Sequence, residues 1–517
     1  MKANKLDSLA ELLAKANEIV DMNWPGDLEV KQLSYDSREV EPGCLFFCKG
    51  AQFDPKFLDQ AKAKGAIAYL GEAIYPQVDL PYCQVRDIRR VMPLLADAFY
   101  DSPYRAFELI GITGTKGKTT TTAYLHAMLD AYQEEKGQAP TAFLSSNRFD
   151  DGIDSGASQL TTPESLPLFR HFDHARQSQR AFMTMEVSSQ ALKYRRVDQV
   201  VFDVAAFLNI SRDHISPNEH PTFEDYFQSK LKIFDQAKCA VLVKDSDHYD
   251  RILKAAQDSP SVESIITVSL TDTSADYYAT AIKAQAGGQT FTLHDPEGQQ
   301  EMTMSMQGSF NVENALVAIA IARHYGLSYR LINQALAQIK APGRMEVFHS
   351  ADGHVKAIVD FAHNLLSFEQ LFHASKQMFP KHRYRIVFGA PGNRGIGRRE
   401  DLPQVAAKEA DAIYLTMDDP DTESVEAICQ TLYQHVVEAG GQARVILDRP
   451  QAIHQAFVEA GADQVANVVL LAGKGDECFM KVNGKKEDYL GDVHYAQAEL
   501  EAYDQAQLTS KSEKEED

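Results

Sequence analysis

Between positions 107 and 340 short apolar runs alternate with amphipathic stretches. Residues 107–112 read as a strand, and Tyr124, Leu125, Met128, Leu129 and Tyr132 then recur at helical spacing. Further strands are predicted over 181–187, 200–210 and 240–243. This alternation predicts a largely parallel sheet with helices on both faces. Over 267–304 polar and β-branched residues alternate around Gly287-Gly288, which predicts a local antiparallel patch. The turn Ala341-Pro342-Gly343-Arg344 marks a boundary, and strands are predicted beyond it over 355–361, 385–388, 412–415 and 468–471. The 106 residues that precede the first of these runs carry their own strands and turns. The pattern predicts an α/β protein of three domains, 1–106, 107–341 and 342–517, with no internal repeat.

The most informative segment is Gly111-Ile112-Thr113-Gly114-Thr115-Lys116-Gly117-Lys118-Thr119-Thr120, set between a predicted strand and a predicted helix. That context suits a phosphate loop, in which backbone N–H groups and a helix N-terminus meet phosphate oxygens. Lys118 is placed to reach the terminal phosphates, and the Thr119 hydroxyl to ligate Mg²⁺. Ile112 stands where the strict pattern has a glycine, so the motif is the shorter Gly114-x-x-Gly117-Lys118-Thr119. It predicts ATP or GTP binding and leaves the reaction open.

A length of 517 residues requires several domains. No apolar run reaches the ~18 residues of a membrane span, and the polar start is no signal peptide. The six cysteines form no CxxC pair and read as free thiols of a reducing cytoplasm. A net charge of −21 argues against general nucleic-acid binding. The terminal run 511–517 reads as a solvated, disordered tail.

Other segments carry chemistry with alternatives open. Met185-Glu186-Val187-Ser188-Ser189 ends a strand on an acid and two hydroxyls, suited to facing Mg²⁺ or simply to solvent. His214, after another strand, is a metal ligand or a capping residue. The helix around Lys230 reads as plain and amphipathic, with Lys230 no different from a surface lysine. Asp360 and His363 close a third strand. Residues 389–399 form a basic loop suited to anions. Asp418, Asp419, Asp421 and Glu423 follow a strand, where they serve recognition or start a helix. Gly473-Lys474-Gly475-Asp476-Glu477 is an anion loop or a turn.

Taken in order, from Asp36-Ser37-Arg38 to Gly473-Lys474-Gly475, these segments resemble the Mur ligases, the ATP-dependent amino-acid-adding enzymes of peptidoglycan synthesis. Within that family they are most similar to the branch that adds the third peptide residue, the UDP-N-acetylmuramoyl-tripeptide synthetases (MurE). The resemblance implies a UDP-binding domain, a central ATPase domain and a Rossmann-like domain that brings the amino acid. It implies ATP contacts at Gly114, Thr115, Lys116, Gly117, Lys118, Thr119, Thr120, Asn311, Asn314, Arg344, Asp360 and His363. It implies that Ser37, Thr161, Thr162, Ser188 and Arg196 hold UDP-MurNAc-L-Ala-D-Glu. Mg²⁺ would be held by Thr119, Glu186, His214 and Lys230, the last carbamylated, with Lys118, His214 and Lys230 catalytic. Arg399, Asp418, Asp419, Pro420, Asp421, Gly473 and Glu477 would recognise the amino acid.

Diaminopimelate-adding members carry Asp-Asn-Pro-Arg where this chain has Asp418-Asp419-Pro420-Asp421. The resemblance therefore implies L-lysine, since an acid in place of the arginine repels a distal carboxylate; L-ornithine is the runner-up. It also implies a cytoplasmic, monomeric enzyme. Departures occur at Asp54-Pro55, Gln190, Tyr194, Asn364-Leu365-Leu366 and Asp476. A folylpolyglutamate synthase type is disfavoured by the long segment before the phosphate loop, and a MurF type by the 418–421 segment. A non-catalytic partner would be expected to lose Lys118, Glu186 or Lys230.

Overall fold

The computed structural model describes residues 4–515, apart from 51–52, 214, 217–218, 286–287 and 340–342, with side chains described as far as 509. Three large sheets follow one another along the chain. The first has five strands in the spatial order Ile19–Met22, Tyr82–Val85, Ala66–Gly71, Cys44–Cys48 and Gln32–Ser34, parallel except at the first pair.

The second sheet has eleven strands. Its parallel centre runs Ser264–Ser269, Ala237–Val243, Phe202–Phe207, Glu108–Thr113, Phe182–Glu186 and Ala142–Leu144. Neighbouring side chains on one strand go to opposite cores, as the period of two requires. Ala205, Phe207, Ala240 and Leu242 join a core with the helix Ser165–Gln177. Val204, Ala206, Val241 and Val243 join the other, with the helices Lys118–Glu135 and Ser309–His324. The antiparallel patch expected near 267–304 is the meander Tyr277–Gln285, Gly288–Asp295 and Gly298–Met304. Its Gly287 lies outside the described residues.

The third sheet has six strands, ordered Glu346–His349, Val355–Asp360, Asn467–Ala472, Arg383–Phe388, Ala412–Leu415 and Ala443–Val445, parallel except for the first. All four strands expected in this part of the chain are present.

The first sheet does not keep its core to itself. Its Leu45, Phe47 and Leu70, with Val91 and Leu95 of the helix Ile88–Tyr100, are continuous with Phe169 and Phe172 of the second unit. Five cysteines are buried and free, while Cys478 is exposed and free. The tail differs from expectation, because the final helix Asp492–Glu515 runs through most of it. Lysine and glutamate are good helix formers, which favours continuing a helix already begun.

Gly111, in the buried strand Glu108–Thr113, has room for nothing larger. A Cβ there would lie 2.7 Å from the Phe202 ring. Gly111→Ala is expected to destabilise the protein by ~1–3 kcal/mol through overpacking, read as a lower unfolding midpoint in urea. Phe202→Leu in the same chain should recover part of the loss. An unchanged midpoint in the single variant would contradict this packing.

Candidate active site

The phosphate loop spans the end of the strand Glu108–Thr113 and the start of the helix Lys118–Glu135. Gly117 caps that helix at φ +86°, a left-handed conformation that glycine adopts without strain. Behind the loop, Asn209 Oδ1 accepts from the Lys116 N–H at 2.9 Å, and Thr115 Oγ1 and the Tyr226 hydroxyl lie 3.0 Å apart. The following strand end thus fixes the loop from below.

Three lysines converge here. Lys118 Nζ donates to the carbonyls of Gly114 (2.8 Å) and Thr115 (3.3 Å), and Lys230 Nζ donates to the same Gly114 carbonyl at 2.8 Å. Lys116 Nζ lies 2.8 Å from His363 Nε2 and 3.6 Å from Asp213. Burial lowers the pKa of all three. Lys116 falls to about 7 despite Asp213. Lys230 falls well below the usual lysine value, driven by burial and then by the Lys118 charge. Lys230 is no surface lysine: it sits on the inner side of the helix Phe223–Leu231 and is 2% exposed. Its helix does have the expected amphipathic pattern, but Lys230 falls among the buried positions.

Glu186 ends its strand fully buried, with its carboxylate facing Ser146, whose N–H and hydroxyl each donate to it at 2.9 Å. Thr162 Oγ1 donates to the Glu186 carbonyl (2.9 Å) and accepts from the Ser188 N–H (3.0 Å). Ser188 caps the short helix Ser189–Lys193. Thr161 Oγ1 lies 3.2 Å from Ser146 Oγ. Arg196 donates to the Thr162 carbonyl at 3.1 Å and pairs with Glu164 at 2.8 Å, which also pairs with Lys49 of the first unit. The structure therefore brings Thr161, Thr162, Ser188, Arg196 and Glu186 together. Ser37 lies in the first unit, buried, its hydroxyl donating to Gln60 at 2.9 Å. Thr119 and Thr120 open the loop helix. His214 lies outside the described residues.

The third unit meets the loop directly. Asp213 accepts from Asn364 Nδ2 and from Arg398 Nη2, each at 2.8 Å, while Lys116 meets His363. His363 is held neutral by burial and by the neighbouring Lys116 charge. Asp360 accepts from the N–H groups of Met345 (2.7 Å) and Ala362 (2.8 Å), and burial raises its pKa. Arg344 stacks on Phe361, 4.3 Å from the ring centre. Asn311 donates to the Gln307 carbonyl, and its Oδ1 is buried with no partner among the described residues, an acceptor that a bound group could satisfy. Asn314 accepts from Thr121 Oγ1 at 3.3 Å. Asn147 donates to Asp476 at 2.9 Å, a second bridge between the units.

Two loops of the third sheet carry the remaining residues. The acids 418–421 do not start a helix; the next helix, Val425–Glu438, begins later, capped by Ser424. Asp419 accepts from Lys474 (2.9 Å), Arg394 (2.9 Å) and the Lys481 N–H (2.9 Å). Burial opposes its ionisation, but Lys474 holds its pKa below the ordinary carboxylate value. Asp421 is held down by a hydrogen bond from Lys481 at 3.1 Å. Burial raises Asp418, which is packed against Gly473, and raises Glu477, which pairs with Lys474 at 2.6 Å. Pro420 stands between these acids in the same loop. Arg399 is engaged bidentately by Glu423 at 2.9 and 3.0 Å.

Sequence reasoning gave no individual role to Ser146, Asp213, Asn364, Arg398, Lys474 and Lys481, although Asn364 stood as a departure from the family pattern and Arg398 and Lys474 lay in loops that it singled out. Ser146, Asp213, Lys474 and Lys481 each bind a residue that it did find, from a segment distant in the chain, while Asn364 and Arg398 bind Asp213. Only Asp213, at a strand end beside His214, and Lys474, between two glycines, carried any local signal.

Fold and loop together define a multidomain α/β protein with a nucleotide-phosphate site. A model of the Mur ligase middle domain matches residues 112–322, and one of the Mur ligase glutamate ligase domain matches 343–475. The UDP-N-acetylmuramyl-tripeptide synthetase of Lactobacillus delbrueckii subsp. bulgaricus is 38% identical, over 90% of this chain and 92% of its own. The UDP-N-acetylmuramoyl-L-alanyl-D-glutamate–L-lysine ligase of Enterococcus faecalis is 37% identical, over 92% of each chain. The solved structure of a UDP-N-acetylmuramoyl-L-alanyl-D-glutamate–2,6-diaminopimelate ligase superposes with a TM-score of 0.63 at 26% identity, over 97% of this chain and 99% of that one. MurF of Thermotoga maritima in complex with ADP shares the fold, with a TM-score of 0.59 at 17% identity over 92% of this chain and 99% of that one. The chain belongs to the Mur ligase family.

The Lys116 environment predicts a pH effect. Its folded pKa, about 7, lies below the unfolded lysine value of ~10.4. Between the two the unfolded chain binds more protons, so this group makes the protein more stable as pH rises through that window. Without nucleotide, the stability difference between wild type and Lys116→Met should change steadily in favour of wild type from pH 7 to 10. A difference flat with pH, measured by urea unfolding, would contradict the buried, neutral lysine.

Proposed function

We propose that this protein joins L-lysine to the D-glutamate carboxylate of UDP-N-acetylmuramoyl-L-alanyl-D-glutamate, using ATP, in peptidoglycan precursor synthesis. The observation that carries this reading is a lysine-rich phosphate loop that meets the third unit at His363 and beside Asp213, in a chain of this family whose third unit also carries an acid-rich pair of loops. Residues 1–106 are assigned to the UDP end, 107–341 to ATP, and 342–517 to the amino acid. The enzyme is read as a cytoplasmic monomer. Among the described residues no helix is long and apolar enough to cross a membrane.

A carboxylate does not react with an amine in water, so the γ-phosphoryl group of ATP first makes it an acyl phosphate. Lys118 and Lys116 offset charge on the phosphates. The neutral amine then attacks the acyl carbon through a tetrahedral species, and phosphate leaves with the former carboxylate oxygen. The contacts of Asp213 and Lys116 with the third unit favour orientation and exclusion of water.

Glu186 and Thr119 are hard oxygen donors suited to Mg²⁺, which when bound would offset phosphoryl charge. An ammonium at Lys230 does not suit such a site; a carbamate does. Burial supports that modification, since a neutral amine can add to CO2 with loss of a proton, turning a cation into a carboxylate. His214 is read as a further ligand.

Lysine fits the charges on the recognition loops. Asp419 and Asp421 each have a lysine partner. Asp418 is buried and, among the described residues, is within ion-pair distance of no lysine or arginine, though the Lys474, Arg449 and Arg394 charges reach it. One buried carboxylate thus remains for an incoming ammonium. Glu477 and Arg399 are read as holding the α-amine and α-carboxylate. L-Ornithine, one methylene shorter, is separated by only ~1–3 kcal/mol.

Lys118→Ala should lower the ligation rate by ~10²–10³ at saturating nucleotide; near-full activity would remove the phosphate-loop assignment. Lys230→Ala should be inactive, with partial rescue by millimolar short carboxylic acids, and full activity without them would refute its role. In competition, wild type should take L-lysine over meso-diaminopimelate. Asp419→Asn with Asp421→Arg should shift that ratio towards diaminopimelate. Wild-type preference for diaminopimelate would sink the lysine reading.

A further inference from the structure

Arg449 has no solvent exposure, so it cannot itself touch a substrate. It opens the helix Arg449–Ala462 and reaches beneath the third sheet. There its Nε donates to Asp492 Oδ1 at 2.8 Å and its Nη2 to Asp492 Oδ2 at 2.6 Å. Tyr489 donates to the same carboxylate at 2.6 Å, which leaves the guanidinium held from behind. Two of its other three N–H groups go to backbone carbonyls, those of Ala472 (2.9 Å) and Met417 (3.4 Å).

Those two carbonyls stand at informative places. Met417 immediately precedes Asp418, and Ala472 immediately precedes Gly473. They end the approaches to the two loops assigned to the amino acid, which leave strands separated by the strand Arg383–Phe388. The loops touch on the far side, where Asp418 packs so closely on Gly473 that no Cβ would fit. Buried carbonyls require donors, and bonds from a charged donor are strong and directional. A single rigid fork that supplies both therefore sets the spacing between Asp418 and Glu477.

We propose that Arg449, locked by Asp492 and Tyr489, is a positioning residue that fixes the gap between the two amino-acid-recognition loops. This rests on the reading that residues 418–421 and 473–477 receive the amino acid. The geometry separates this role from a general stabilising one. The Asp492 pair anchors the fork to the final helix, whereas the two carbonyl bonds, together with the Arg449 charge that reaches Asp418, act on the site.

The test is steady-state kinetics of the full chain with UDP-MurNAc-L-Ala-D-Glu, ATP and L-lysine. Arg449→Leu/Asp492→Leu removes both charges together, which a buried pair tolerates better than loss of one partner. Circular dichroism and the thermal midpoint establish that it is folded. The expected result is a KM for L-lysine at least tenfold higher, KM for ATP within about twofold, and weaker discrimination between L-lysine and L-ornithine. In Arg449→Ala, added guanidinium ion should lower the lysine KM towards wild type, while leaving wild type unaffected. Should the double variant not fold, guanidinium rescue of Arg449→Ala decides alone. A folded double variant with unchanged lysine KM, equal changes in both KM values, or no guanidinium rescue would overturn the proposal. Glu477→Gln distinguishes the underlying reading: if it leaves the lysine KM unchanged, the loops do not receive the amino acid and both ideas fall. If it raises that KM while Arg449 variants do not, only the positioning role fails.

Discussion

The Gly114 carbonyl accepts hydrogen bonds from two buried lysines, and much of the site follows from that crowding. Like charges this close in a poorly solvated place repel, so the protein lowers the lysine pKa values instead of neutralising them. A site that keeps its cations partly discharged is prepared for anions. The nearest fixed acids, Glu186 and Asp213, are occupied by Ser146 on one side and by Asn364 and Arg398 on the other. Phosphates, a carboxylate and a carbamate would complete the balance.

Asp213 extends this electrostatics into architecture. It sits beside the phosphate loop yet accepts its hydrogen bonds from the third unit, while His363 of that unit meets Lys116. The third unit is thereby registered against the phosphate loop by contacts between polar and charged groups. Such contacts depend on what else occupies the loop. The Asn147–Asp476 bond adds a second point of registration, next in sequence to the serine that holds Glu186.

The features legible in the sequence were those written in local patterns. Strand–loop–helix around Gly114, the parallel strands of both later sheets and the antiparallel meander all rest on short-range periodicity, and they appear where that periodicity sets them. The environment of Lys230 was not legible, because an amphipathic helix does not state which of its polar residues faces inward. The tail was misread for the opposite reason: charge density suggested disorder, while its lysines and glutamates also favour continuing a helix. The acids at 418–421 looked like a helix start because their partners, Lys474 and Lys481, lie more than fifty residues away. Family resemblance supplied the candidate site residues, but it did not supply neighbours such as Asp213 and Ser146 that bind them.

The claim that the loop holds discharged cations for an incoming anion is tested most directly by calorimetry of Mg²⁺-ATP binding at pH 8, repeated in buffers of different ionisation enthalpy. Lys116, with a pKa of about 7 in the free protein, is mostly neutral at that pH and should regain its proton beside the phosphates. The account predicts net uptake of up to about one proton by wild type, and much less by Lys116→Met. No uptake by wild type, or equal uptake by both, would contradict it.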